Sequence, residues 1–173
     1  MGSLSCAEMR QLEEGAFRQG ATAEGLMEKA GRGIAAAILR RFPKPGTAIA
    51  CIGSGNNGGD ALVAIRYLLE AGWRIGIETR HAATDLAALP RKKWRELGDC
   101  PVNQSITEGV HSGPLLLLDG LLGIGANGPL RPPLAELAHW MNQTREIHRA
   151  QIIAMDMPSG VDGDTGEVYQ GAV

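Results

Sequence analysis

Aromatic residues are scarce in this 173-residue chain: three Trp, two Tyr and two Phe. So few rings leave little to stack on single-stranded bases. Charge of one sign is not in excess either. Seventeen basic residues face 19 acidic ones, a formal net charge of −2. That balance supplies no basic footprint for nucleic acid and no polybasic anchor for a membrane. Long apolar runs are missing, since the longest, Leu115 to Leu122, carries Asp119 in its middle and falls far short of a bilayer span. No basic-then-apolar leader opens the sequence, so no secretory signal is expected. Cysteine is limited to Cys6, Cys51 and Cys100, without a C-x-x-C pair. This argues against a disulfide framework or a zinc site and for a reducing, cytoplasmic setting. The apolar fraction of 44% suffices for the core of one domain, taken as residues 1–173. What the chain has in plenty is glycine, 24 residues, about twice the average usage of roughly 7%.

The glycines punctuate a regular alternation of elements. Ser5-Cys6-Ala7-Glu8 reads as a capping box, followed by Met9, Leu12 and Ala16 at helical spacing. Thr22 is suited to cap a second helix with Leu26, Ala30, Ala37 and Ile38 on one face, ending before Pro43. Strands are expected at 47–52, 73–79, 115–118 and 151–155, with helices over about 60–71, 84–97 and 132–142 between them. His111-Ser112-Gly113-Pro114 reads as a turn. Strands alternating with helices at this spacing predict a parallel sheet covered on both faces. The sequence reaches Ala172-Val173 as an apolar run begins, so further strands are expected to follow.

Three of the four strands end in chemically pointed segments. The first leads into Gly53-Ser-Gly-Asn-Asn-Gly-Gly-Asp60, the third into Asp119 and Gly120-Leu-Leu-Gly-Ile-Gly-Ala-Asn-Gly-Pro129, the fourth into Asp156-Met-Pro-Ser-Gly160. A parallel sheet gathers all three at the carboxyl ends of its strands, where ligands bind. The first segment contains Gly-x-Gly-x-x-Gly between a strand and a helix, which suits an anion at the helix start. Asp60 fits a bound diphosphate poorly, however, and the alternative is a tight turn in which Asp60 caps the helix. Glu78 or Arg80 is placed to read a ribose. No Gly-Lys-Ser/Thr follows, which excludes a Walker loop, and no Gly-x-Ser-x-Gly elbow supports a hydrolase triad. Asp119 and Asp156 either hydrogen-bond loop amides or, with Asn57, offer oxygens to a hard cation or a carboxyl for proton transfer. Arg131 is placed to meet a phosphate. His81, His111, His139 and His148, with Lys29, Lys44 and the run Arg91-Lys92-Lys93, are expected on the surface.

Gly53–Asp60, Asp119-Gly-Leu-Leu-Gly-Ile-Gly125 and Asp156-Met-Pro-Ser-Gly-Val-Asp-Gly-Asp-Thr-Gly166 resemble the hallmark segments of the NAD(P)H-hydrate epimerases, the YjeF N-terminal domains. Gly25-Leu-Met-Glu-Lys-Ala-Gly31 resembles the segment that precedes them. Ala61 and Gly120 depart from the family's more usual Gly and Ala. The resemblance implies a three-layer αβα Rossmann-like sandwich, an α/β fold with a mainly parallel sheet, as a homodimer. It implies an isomerase that interconverts the R and S epimers of hydrated NADH and NADPH (NADHX and NADPHX) in cofactor repair. A dehydratase, separate or fused, would be its functional partner. By position, Asn56, Asn57, Gly58, Gly59 and Asp60 would contact the hydrated nucleotide, as would Gly123, Ile124, Gly125, Ala126, Asn127, Gly128, Pro129 and Asp156. Asn57, Asp119 and Ser159 would hold one potassium ion (K+) per subunit. Asp156 is the first choice for proton transfer and Asp60 the second. The resemblance also implies that the domain continues past Val173, so the sequence reads as truncated or as the first part of a bifunctional epimerase–dehydratase. A non-catalytic, dimerising scaffold of the same fold is the main alternative. An NAD-dependent dehydrogenase rests on the glycine pattern alone.

Overall fold

The computed structural model describes residues 4–103 and 113–173. Its elements run α1 (Cys6–Arg18), α2 (Ala23–Arg41), β1 (Thr47–Ile52), α3 (Asn56–Glu70), β2 (Arg74–Thr79), α4 (Ala88–Glu96), β3 (Leu115–Gly120), α5 (Leu134–His148) and β4 (Gln151–Ala154). The four strands are all parallel, in the order β2-β1-β3-β4. Chain order reverses between β1 and β3, because β2 is laid on one side of β1 and β3 on the other. A crevice therefore opens at the carboxyl ends of those two strands.

Alternation along each strand divides the core in two. Ala48, Ala50 and Ile52 of β1, with Leu116 and Leu118 of β3, pack under α2 and α3. Ile49 and Cys51, with Leu115 and Leu117, face Leu137, Ala138 and Met141 of α5. This is the expected three-layer sandwich. Each buried β3 leucine removes enough apolar surface to contribute about 2 kcal/mol. No helix among the described residues is long and apolar enough to cross a membrane.

The capping box holds as read: Ser5 accepts from the Glu8 amide and Glu8 reaches back to the Ser5 backbone. Thr22 caps α2 as expected. The buried faces differ from the reading. On α1, Met9 and Leu12 are exposed. On α2 the inward stripe is Met27, Gly31, Ala35 and Ile38, whereas Ala30 and Ala37 are exposed. Gly31 sets that rotation, since a Cβ there would lie 2.6 Å from Val63 and 2.8 Å from the Asp60 carbonyl oxygen. Gly31→Val is expected to cost about 2 kcal/mol through overpacking, seen as a lower urea midpoint with an unchanged slope.

Four elements also differ in their bounds. The helix expected from Asp60 begins at Asn56, so Asp60 lies inside it and caps nothing. The helix expected over 84–97 is a 3-10 turn at Ala83–Asp85, followed by α4. α5 runs on to His148, and β3 includes Asp119 and Gly120. The turn at His111 and Ser112 lies outside the described residues.

Candidate active site

Helix α3 starts directly at the crevice. Gly55 precedes it in extended conformation with no side-chain cap, and its first turn carries no carboxylate. Asn56, Asn57 and, one turn on, Asp60 thus project from a helix start whose amides are not engaged by a capping side chain. A cleft of about 500 Å³ lies in front of it. Ser54 to Asn57 and Asp60 form one wall, Leu121 to Gly125 the opposite one, and Asp156 closes the far side.

Behind that cleft Asp119 is fully buried at the end of β3. Ser159 donates to it twice, through its backbone N–H (2.7 Å) and its hydroxyl (2.7 Å), and the Leu121 N–H adds a third bond at 3.2 Å. Burial pushes the Asp119 carboxyl above its ordinary value, and these three donors oppose the shift. Leu122 ties Asn57 into the cluster. Its N–H donates to Ser159 Oγ (3.0 Å), and its carbonyl accepts from Asn57 Nδ2 (2.7 Å). With Nδ2 so fixed, Asn57 Oδ1 is left buried without a hydrogen-bond partner. An orphaned amide oxygen beside a buried carboxylate and hydroxyl is a donor set that fits a hard cation.

The second pair of carboxyls faces the cleft itself. Asp156 Oδ2 accepts from the Ile124 N–H at 2.8 Å. Gly123 permits this approach, since a Cβ there would sit 2.9 Å from the same oxygen. Asp60 is half-buried, and its carboxyl is pushed up to about 7, first by burial and then by the negative charges of Asp156 and Glu13. It therefore holds a proton near neutrality.

Of the positions carried over from the resemblance, the cleft gathers Asn56, Asn57, Asp60, Gly123, Ile124, Gly125 and Asp156. Gly58 and Gly59 lie beneath it, buried against the Gly53 carbonyl and Met27. Ala126 to Pro129 continue away from the lining. Arg131 is exposed and does not line the cleft. Neither do Glu78 and Arg80, which pair with each other at 3.5 Å. Two charged lining residues escaped the sequence reading altogether, Arg10 and Glu13 of α1. Arg10 Nη2 donates to the Ile124 carbonyl at 3.3 Å. Their signal was their i, i+3 spacing on a helix read only for its apolar residues.

Among the expected surface groups, Lys29, Lys44, His139 and His148 are exposed. Lys93 is not, being 2% exposed. His81 is half-buried, and its Nε2 is without a partner.

The sequence model of the family described as YjeF-related protein N-terminus matches residues 23–173. The chain belongs to this family. Among its relatives, the NAD(P)H-hydrate epimerase of Rhodopirellula baltica is 37% identical over 172 residues, covering 95% of this chain and 68% of that protein. The NAD(P)H-hydrate epimerase of Bordetella pertussis is 32% identical, covering 92% of this chain and 67% of its own length. The bifunctional NAD(P)H-hydrate repair enzyme Nnr of Gloeobacter violaceus is 34% identical, and the match spans 97% of this chain but 32% of that protein. The crystal structure of yeast ynu0 shares the YjeF N-terminal fold with a TM-score of 0.83, 23% identity, and coverage of 100% of this chain and 77% of its own. The family match begins after α1, so Arg10 and Glu13 lie outside it.

Proposed function

We propose that this chain is an NAD(P)H-hydrate epimerase, interconverting the R and S epimers of NADHX and NADPHX. The observation that carries the reading is one cleft at the strand-order reversal that holds two carboxyls on separate elements, Asp60 of α3, pushed up to about 7, and Asp156 just beyond β4, fixed by the Ile124 amide. The reacting ring carbon bears a hydroxyl and a nitrogen. Proton donation from Asp60 lets the hydroxyl leave as water, and the nitrogen lone pair carries the resulting cation. Water then adds to the opposite face, giving its proton to Asp156. The proton passes back to Asp60 to close the cycle, and the reverse epimerisation exchanges the two roles. A scaffold has no use for a carboxyl held near pH 7, which favours the catalytic reading.

Asn57, Asp119 and Ser159 would hold potassium, on the strength of the orphaned Asn57 Oδ1. Potassium would supply a fixed positive charge that orders the Leu121–Gly125 wall. We further propose a homodimer acting beside a dehydratase that consumes one epimer.

The test is proton NMR on one separated NADHX epimer, with potassium or sodium present. The expected result is appearance of the other epimer, faster in potassium. Asp119→Asn is expected to erase the difference between the two ions. A folded protein with no interconversion above the spontaneous rate would overturn the proposal.

A further inference from the structure

Ile124 is held from two sides. Its N–H donates to Asp156 Oδ2 at 2.8 Å, and its carbonyl accepts from Arg10 Nη2 at 3.3 Å. The stretch has little reason of its own to keep one shape. The Ala126 N–H closes a tight turn onto the Gly123 carbonyl at 3.1 Å, with Ile124 and Gly125 at its two central positions. Gly125, without a Cβ, admits either orientation of the peptide that joins them. One orientation turns the Ile124 carbonyl to Arg10. The other would set the Gly125 N–H, a donor, against a guanidinium that can only donate.

Arg10 is placed to make that choice. Among the described residues it is the one cation lining the cleft, and it shares the lining with the carboxyls of Glu13, Asp60 and Asp156. Its guanidinium nevertheless hydrogen-bonds the loop backbone. The helix beneath it is fixed as well, because the Cys6 N–H donates to Asp164 Oδ1 at 2.8 Å, in the segment that follows Asp156. Helix α1 thus straps the Gly123–Ala126 turn to the stretch of chain that carries Asp156.

We propose that Arg10 is a positioning residue for Asp156, acting through the Ile124 backbone. The inference rests on the epimerase reading above, in which Asp156 takes a proton from water on one face of the ring. Without Arg10 the turn samples both orientations and the Ile124 N–H no longer fixes the carboxyl. Asp156 then spends less time where the water adds. Arg10 itself touches no reacting atom.

Arg10→Met keeps the stem and removes the donors, at an exposed helical position that tolerates the change. Two readouts are expected to move. Hydrogen exchange at the Ile124 amide, followed by NMR without substrate, should quicken about tenfold or more, while the amides of β1 and β3 keep their protection. The kcat for one NADHX epimer should fall about 10- to 100-fold, with KM within about twofold of the parent. Arg10→Lys restores a donor and should recover most of the lost kcat. Ile124 exchange at the parental rate in Arg10→Met would overturn the proposal. So would a raised KM at unchanged kcat, the mark of a residue that binds the substrate's diphosphate. A parental protein that fails to interconvert the epimers would remove the epimerase reading and the proposal with it. A parent that turns over, with a variant whose Ile124 exchange and kcat are unchanged, would remove the proposal alone.

Discussion

Asp60→Asn is expected to lower epimerisation about 100- to 10,000-fold, the range for loss of a general acid, and to make the protein more stable at pH 8. The two effects have one origin. The folded-state carboxyl titrates near 7, well above its ordinary 3.8, because it is buried beside Asp156 and Glu13. Between those values the folded protein keeps a proton that the unfolded chain has released. The stability linked to Asp60 is thus complete below about pH 4 and lost as pH rises through 7. Asparagine keeps the shape and does not titrate, so the variant gains on its parent across that window. With the side chain still partly open to water, the gain at pH 8 is about 2 kcal/mol. Urea unfolding at pH 5 and pH 8 checks it; equal stability of the two proteins at pH 8 would contradict the assignment. Glu13→Gln removes one of the charges that raise Asp60. The fall of activity on the alkaline side should then begin at lower pH, with the protein still folded.

The second large effect concerns Lys93, which sits away from the cleft. Its Nζ lies 2.7 Å from Glu24, 2.8 Å from Glu28 and 3.2 Å from Glu96, joining α4 to α2. Lys93→Met preserves the stem but removes the charge that joins the three carboxylates, leaving Glu24 to Lys92, Glu28 to Arg66 and Glu96 without its Lys93 bridge. Breaking a buried pair costs roughly 3–5 kcal/mol, but these glutamates are between 29% and 39% exposed, which reduces the cost to about 2 kcal/mol. For a chain of this size that is a fall in Tm of about 4–8 °C. Glu24 is pulled down to about 2, chiefly by its hydrogen bonds to Lys92 and Lys93, and the Lys93 ammonium helps hold Glu28 below its usual range. The contribution is therefore present above the ordinary carboxylate range and disappears as pH falls from there towards 2. Parent and variant should converge in acid, and a constant gap from pH 7 to pH 2 would contradict the ion-cluster account.

The elements legible in the sequence were those set by local pattern. β1 is a continuous apolar run bounded by turn residues and lies where it was read. The capping box at Ser5 needs only residues three apart. The strand-end loops converge because parallel topology leaves no other place for them. Misreadings arose where packing outweighed propensity. Asn56-Asn57-Gly58-Gly59 has the composition of a loop, yet it is helical because those glycines let α3 lie close against Gly53 and Met27. The run Arg91-Lys92-Lys93 looks wet, but Lys93 finds carboxylates on a helix some 65 residues earlier. At and behind the cleft, Asn57, Asp119 and Asp156 were legible by type and place, whereas the raised Asp60 carboxyl follows from burial, then Asp156, then Glu13, which no spacing rule connects to it. Arg10 was missed for the same reason.

One contact has a consequence for how the protein comes into being. The Cys6 N–H donates to Asp164 Oδ1 at 2.8 Å, pinning the start of α1 to a residue 158 positions later. The Asp119–Ser159 link closes a loop of only 40. Closing the longer loop costs about 1.2 kcal/mol more in chain entropy, and during synthesis Asp164 emerges well after Cys6. β1, α3 and β2 can pair while the ribosome is still working, but α1 must wait. The wall that α1 supplies to the cleft is thus tied down by a contact that cannot form until a segment 158 positions later has been made.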